Sequence, residues 1–406
     1  MSPATRQPSN APSWVGAAEA ARLLGVRRAT LYAYVSRNLV RSQALPGSMR
    51  ERGYAREDLE RLRRRAEERD APDKAAARAL QWGLPVLESS LSLIDGRHLY
   101  YRGHDAIELA RARAVQSVAS LLWTGNFDAT FAALPARRPA VAPPSLPFLA
   151  RAQATLAQAA VLDPSAYDNR AERVAQCGWR ILHLLTRAAT GTSRIEPTIE
   201  QTLAGAWRAS ARGADLLRAA LVLCADHELN VSSFTARCVA SAGATPYAVV
   251  LAGLAALSGS RHGGASARAE AMLAAWGRER DLGRAIAERV QRGERIEGFG
   301  HPLYSRGDPR AAALLRWLRE AFERSAELSF VERAAARAEA AVGERPNIDF
   351  ALAAMVRVLR LPAGAPFVIF AIGRTIGWIG HAIEQYATGQ LIRPRAKYVG
   401  VVPVES

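Results

Sequence analysis

Asp226-His227-Glu228-Leu229-Asn230 opens the stretch on which the reading of this chain turns. Two further histidine phrases follow, His262-Gly263-Gly264 and Gly298-Phe299-Gly300-His301, and then an acid in Asn347-Ile348-Asp349-Phe350. The chain holds only seven histidines in 406 residues, so three in such settings form a pattern. Histidine is the side chain whose unperturbed pKa lies nearest 7, and neutral-pH acid/base chemistry draws on it. Singly, each phrase has an ordinary explanation. His227 between two acids reads as a surface charge cluster. The glycines beside His262 and His301 permit close backbone approach to a ligand, or mark helix boundaries. Asp349 suits a helix N-terminus, where the dipole favours an acid. Together they fit enolate chemistry: a carboxylate takes a proton next to a carbonyl, a histidine stabilises the oxygen charge, and another acid protonates the electrophile.

Arginines extend the pattern. Arg310 follows Asp308-Pro309, Arg374 sits in Phe370-Ala371-Ile372-Gly373-Arg374-Thr375, and Arg393 and Arg395 bracket Pro394. A guanidinium binds a carboxylate bidentately, so converging arginines imply a small polycarboxylate ligand. Arg374 stands out because its neighbours are apolar, and a charge in such a segment needs a partner. The formal charge of +16 carries less information. Lysine occurs only at Lys74 and Lys397, so nearly all basic charge is arginine, which fits compositional bias as well as an anionic partner.

Outside these phrases the pattern is helical. After His104, alanine, leucine and arginine recur at helical spacing over 105–124, 148–162, 166–190, 198–211, 213–225, 246–257, 265–277, 281–290, 309–325, 330–342, 348–360 and 366–386. Before it, Val86–Leu93, the Asp95-Gly96 turn and Leu99-Tyr100-Tyr101 predict one small β-hairpin. No apolar run reaches the roughly 18 residues of a membrane span, and Met1–Pro12 lacks a signal-peptide core. Cys177, Cys224 and Cys238 show neither disulfide nor zinc spacing, so no metal site is expected and a cytoplasmic location is the simplest reading. The body is larger than one ordinary core, which predicts two lobes.

The first 11 residues read as a disordered tail and 67–82 as a linker. Between them, 12–66 reads as helix, Gly25 turn, helix, and a third helix from Arg56 to about Arg69. The phrase from Ala17 to Tyr32, with Tyr34, the wing-like Arg52-Gly53-Tyr54 and Asp58-Leu59, resembles the MerR-type winged helix-turn-helix. Residues 1–78 carry 16 Arg/Lys against 9 Asp/Glu. Arg27, Arg28, Tyr32 and Arg37 lie on or beside the second helix, where they could meet phosphates or base edges of DNA. The same module also serves for protein contacts or dimer packing.

Residues 83–406 resemble citrate synthase. The phrases that carry the likeness are Ile94-Asp95-Gly96 with Tyr101-Arg102-Gly103, the three histidine phrases, Asp308-Pro309-Arg310, Asn347-Ile348-Asp349-Phe350, Gly373-Arg374-Thr375-Ile376-Gly377-Trp378 and Arg393-Pro394-Arg395. The resemblance implies a mainly α-helical, two-lobed fold, with a small lobe at roughly 266–360 that closes over the substrates. It implies condensation of acetyl-CoA, a co-substrate and not a permanently bound cofactor, with oxaloacetate. Asp349 would remove the methyl proton, His262 would stabilise the enol and His301 would polarise the ketone. His227, Arg310, Arg374 and Arg393 would hold oxaloacetate, Arg393 reaching in from the second subunit of a homodimer. Four places depart from the family pattern: Pro302-Leu303 after the third histidine, Arg261 before His262, Ser266, and Ala351-Leu352. Arg306 would take part of the CoA phosphate contact. Two other functions share this machinery. One is a 2-methylcitrate synthase using propionyl-CoA. The other is a DNA-binding regulator whose body senses oxaloacetate, citrate or CoA.

Overall fold

The computed structural model describes residues 14–37, 39–44, 52–60, 62, 87–131, 143, 145–192, 196–396 and 398–401. The expected tail at 1–11 and linker at 67–82 lie outside them. The chain divides into two compact units, Met1–Glu88 and Ser89–Ser406.

In the first unit, α1 (Ala17–Leu24) ends at Gly25 with φ of 64°, a left-handed position that glycine adopts without a Cβ clash, and α2 (Arg28–Ser36) follows after two residues. Three short strands, β1 (Trp14–Gly16), β2 (Ser42–Ala44) and β3 (Arg52–Ala55), form an antiparallel sheet in the order β1-β3-β2, with Val15 and Ser42 both facing Tyr54. Only the β3 segment was marked in the sequence, as a wing. The residues after it, 56–60 and 62, turn helical as expected, and the other positions of the predicted third helix lie outside the described residues. Val15, Ala20, Ala21, Leu31, Val40, Tyr54 and Leu59 make the core. Asp58 is buried beneath it and accepts 2.9 Å hydrogen bonds from both the backbone N and the Nε of Arg41.

The second unit opens with β4 (Ser92–Ile94), β5 (Leu99–Tyr101) and β6 (His104–Asp105), so the predicted hairpin gains a third short strand. Helices follow: α3 (Ala106–Ala112), α4 (Val115–Thr124), α5 (Phe148–Leu162), α6 (Ala171–Thr190), α7 (Ile199–Trp207), α8 (Ala211–Leu223), α9 (Val231–Ser241), α10 (Pro246–Leu257), α11 (Gly264–Trp276), α12 (Leu282–Gln291), α13 (Pro309–Phe322), α14 (Ala326–Val342), α15 (Ile348–Leu359) and α16 (Ala365–Thr388). The sequence ran α3 and α4 together; they part at Arg113–Ala114, where no glycine or proline signals a break. The sequence reading also placed no helix at α9, whose Ser232, Ser233 and Thr235 dilute the apolar period.

α16 lies at the centre, packed by α4, α6, α8, α9, α10 and α11. It is long and apolar enough to cross a membrane, but 89% of its apolar stretch is buried inside the protein. Its apolarity is therefore accounted for by the core. α11, α13 and α14 gather on α15. Side-chain caps fix where the site-bearing helices start. Asn230 accepts from Ser232 N and Ser233 N, Asp308 from Arg310 N, and Asn347 from Asp349 N. As a result, the loops that carry the histidines and Asp349 all lead into helix N-termini.

Candidate active site

His227 is presented by a strained turn. Glu228 beside it has φ of 51°, which costs a non-glycine residue free energy unless its surroundings hold it. They do: Glu228 N donates to Ser92 Oγ at 3.0 Å, and its carboxylate accepts from Ile94 N at 3.2 Å. Ser92 also donates to Asp226 at 2.5 Å, and fully buried His381 meets the other Asp226 oxygen at 3.2 Å. Burial pushes the Asp226 carboxyl up, but His381, Arg374 and Ser92 outweigh it and keep the group an anion.

Within this turn His227 packs against the third histidine phrase. The His227 and His301 rings lie 5.0 Å apart, Tyr304 lies 4.9 Å from His301, and His227 Nε2 meets the Tyr304 hydroxyl at 2.9 Å. Gly298 and Gly300 shape the loop. Both have positive φ, and a Cβ would strike Phe350 at the first and the Glu344 carboxylate at the second. Leu303 N donates to His301 Nδ1 at 3.2 Å. A neutral His301 therefore carries its proton on Nε2 and donates from there. Pro302, one of the departures, has no N–H of its own, and the turn passes that role to Leu303. Burial and Arg310 push His301 down to about 4, and burial with Arg310 and Arg374 holds His227 well below its ordinary range. Both are neutral imidazoles at pH 7.

Arg310 is buried, paired with Asp308 at 2.8 Å and set 5.8 Å from the Tyr304 ring. Asp308 also accepts from Ile348 N at 3.0 Å, so the pair ties α13 to the start of α15. Arg374 is equally buried. Its Nε donates to the Cys224 carbonyl at 2.9 Å, and its guanidinium lies 4.9 Å from the Phe370 ring. One of its terminal nitrogens is buried and has no acceptor among the described residues. A cationic donor in that position suits an anion.

His262 packs edge-on against Phe370, with ring centroids 6.2 Å apart, and its Nε2 meets Ser232 Oγ at 2.8 Å. Asn230 Oδ1 already accepts from Ser232 N and Ser233 N. The Ser232 hydroxyl also donates to Asn230 Oδ1 at 2.8 Å, so it bridges that cap residue and the His262 ring. Burial, then Arg374, pushes His262 down to about 4. Half-buried Asp349 accepts from the Ser266 hydroxyl, and burial raises its pKa against the pull of Ser266 and Arg310.

The structure brings His227, His301, Arg310 and Arg374 into one electrostatic neighbourhood, with Asp349 and His262 each coupled to one of those arginines. Arg393 and Arg306 are not in it: both are exposed. Arg261 is exposed in the turn before His262. Arg27, Arg28, Tyr32 and Arg37 form an exposed set on α2 and its caps, in the other unit. Sequence reasoning missed Tyr304, Ser232 and His381. Tyr304 stands three residues after His301, but an ordinary tyrosine gives no signal of its own.

Residues 79–395 match the citrate synthase C-terminal domain family. The chain belongs to the citrate synthase family. It is 32% identical over 358 residues to citrate synthase from Haloferax volcanii, covering 78% of this chain and 94% of that one. It is also 32% identical over 198 residues to 2-methylcitrate synthase from Shewanella oneidensis, covering 48% and 52%. Citrate synthase from Thermotoga maritima superposes with a TM-score of 0.64 at 26% identity, covering 80% of this chain and 96% of that chain. The mainly helical fold is the family's, and the chain is an enzyme with citrate synthase activity. Its acyl-CoA is a co-substrate, not a resident cofactor.

Proposed function

We propose that this citrate synthase condenses acetyl-CoA with oxaloacetate through an enol, with Asp349 as the base. The Asp349 carboxylate takes a methyl proton, and the C–H electron pair becomes the enol double bond. His262, neutral, donates a hydrogen bond to the thioester oxygen as its charge grows. The enol carbon attacks the ketone of oxaloacetate, and His301 Nε2–H supplies the proton to the ketone oxygen. Hydrolysis of the resulting thioester releases CoA and citrate. His227, Arg310 and Arg374 hold the oxaloacetate carboxylates and ketone. The observation that carries this reading is the buried cluster of neutral histidines beside two buried guanidiniums, one with a donor to spare.

Arg393 completes the dicarboxylate site from a second subunit of a homodimer. Its exposed place in the irregular segment after α16 favours this over a role in its own chain. Arg306, exposed beside the third histidine loop, takes part of the CoA phosphate contact. Helices within 266–360 form the small lobe that closes over both substrates and excludes water. The enzyme works in the cytoplasm. Thiol release from acetyl-CoA and from propionyl-CoA, with oxaloacetate, tests the reading in wild type and Asp349→Ala. No release with either thioester refutes it, and faster release with propionyl-CoA would favour the 2-methylcitrate reaction of the Shewanella relative.

The first unit supports a second role, DNA binding by a MerR-type winged helix-turn-helix within 12–66. Helix, glycine turn and helix are followed by a β2–β3 hairpin, and Arg27, Arg28, Tyr32 and Arg37 all face outward. Arg27→Ala with Arg28→Ala should weaken DNA binding and flatten its salt dependence; unchanged binding would reject α2 as the reading helix.

A further inference from the structure

We propose that Ser266 is a positioning residue for the base: its hydroxyl holds one oxygen of Asp349 and so presents the other, Oδ2, to the methyl group of the acyl-CoA. This rests on the reading of Asp349 as the base. Ser266 is completely buried near the start of α11, and its Oγ donates to Asp349 Oδ1. A carboxylate only accepts, so the direction of that bond is fixed. Asp349 N is spent on the Asn347 cap. No other side chain among the described residues donates to the carboxylate, and Oδ2 accepts from none.

The bond crosses from α11 to α15, two helices packed side by side. It therefore fixes a rotamer that α15 alone would leave free. His262 lies four residues before Ser266, so the start of one helix sets both the enol donor and the orientation of the base. The other charged or titratable groups facing the carboxylate are Arg310 and Asp308 at the start of α13, Arg268 on α11 and Cys224 at the end of α8. α14 meets α15 through Glu327, paired with Arg357, and α16 brings Arg374, which is bound to the Cys224 carbonyl. Arg310 is committed to Asp308 and Arg268 to Glu297. Among the described residues, Ser266 is the one neutral side-chain donor on the carboxylate. Removing it takes away a hydrogen bond to the charged form and frees the rotamer, so basicity rises while aim is lost.

The test compares full-length wild type, Ser266→Ala, Ser266→Thr and Asp349→Ala by thiol release across pH, with oxaloacetate saturating. Ser266→Ala should move the acid limb of kcat/KM for acetyl-CoA upward by about one pH unit and lower kcat roughly tenfold. KM for oxaloacetate should stay within about twofold, because no dicarboxylate contact is touched. Ser266→Thr, which keeps the hydroxyl, should return the limb toward wild type. An acid limb that does not move in a folded Ser266→Ala protein overturns the proposal while leaving an inactive Asp349→Ala, and hence the base, in place. Wild-type release by Asp349→Ala would remove the base reading itself, and this proposal with it.

Discussion

The two halves of the site are built differently. The half that carries His227, His301 and Tyr304 is cross-braced: three rings in mutual contact, two buried arginines, and an Asp308 that ties the loop to α15. The half that carries His262 and Asp349 rests on single hydroxyls, Ser232 for one and Ser266 for the other. The difference matches the work proposed for each half. A dicarboxylate must be held fast among fixed charges, and preorganised cations do this without moving. A proton must be taken from a weakly acidic methyl group, and this calls for a basic carboxylate with one oxygen unspent. Losses among the arginines of the braced half should therefore appear as binding and stability, and losses in the other half as rate.

The largest effect expected on that basis is Asp349→Ala, which should cut kcat for thiol release by about 10³-fold with KM for oxaloacetate little changed. A comparable rise in KM would erase the division. Next comes Arg310→Met. It strands the buried Asp308 carboxylate, so chemical denaturation should show a loss of about 3–5 kcal/mol together with poor oxaloacetate binding. Stability equal to wild type would mean that the brace is not one. A smaller effect is expected from Ser232→Ala, which deletes the hydroxyl that meets His262 Nε2. A roughly fivefold drop in kcat, the worth of one ordinary hydrogen bond, should come without loss of oxaloacetate affinity. The smallest is a pH effect. His262 and His301 stay neutral down to about 4, below their ordinary 6.5. Between those values the unfolded chain binds protons that the folded site refuses. The thermal midpoint should therefore fall as pH drops from 6.5 toward 4, and a flat profile would contradict the buried, neutral assignment.

Much of this was legible from residue order. The histidine phrases, Asp349, Arg310 and Arg374 all sit where local sequence is unusual: histidines beside glycines or acids, an arginine inside an apolar helix. The residues that support them did not stand out. Ser232 and Tyr304 are common types in common surroundings, Ser266 is marked only as a departure from the family pattern, and the partners of Ser232, Ser266 and Tyr304 lie 30, 83 and 77 residues away. Only the packing of α9 by His262 and of α11 on α15 gives those hydroxyls a purpose. The break between α3 and α4 was hidden for a related reason. Tertiary packing, not a helix-breaking residue, parts them. In the first unit the turn at Gly25 announced itself through the one residue that adopts its conformation freely, whereas β1 and β2 are three residues each and too short to establish a period.

The position of α16 in the chain has a consequence for how the protein is made. Among the described residues, the helix at the centre of the core is the last to leave the ribosome. The helices that will surround it are synthesised first, with nothing to cover their inner faces. Trp123 Nε1 finds its acceptor, the Ile376 carbonyl, only after 253 further residues have been added. Contacts of such long range are slow to form and leave apolar surface open meanwhile. Chaperone demand during synthesis should therefore be set by the wait for residues 365–388, and a nascent chain stalled before them should be a sticky, protease-sensitive intermediate.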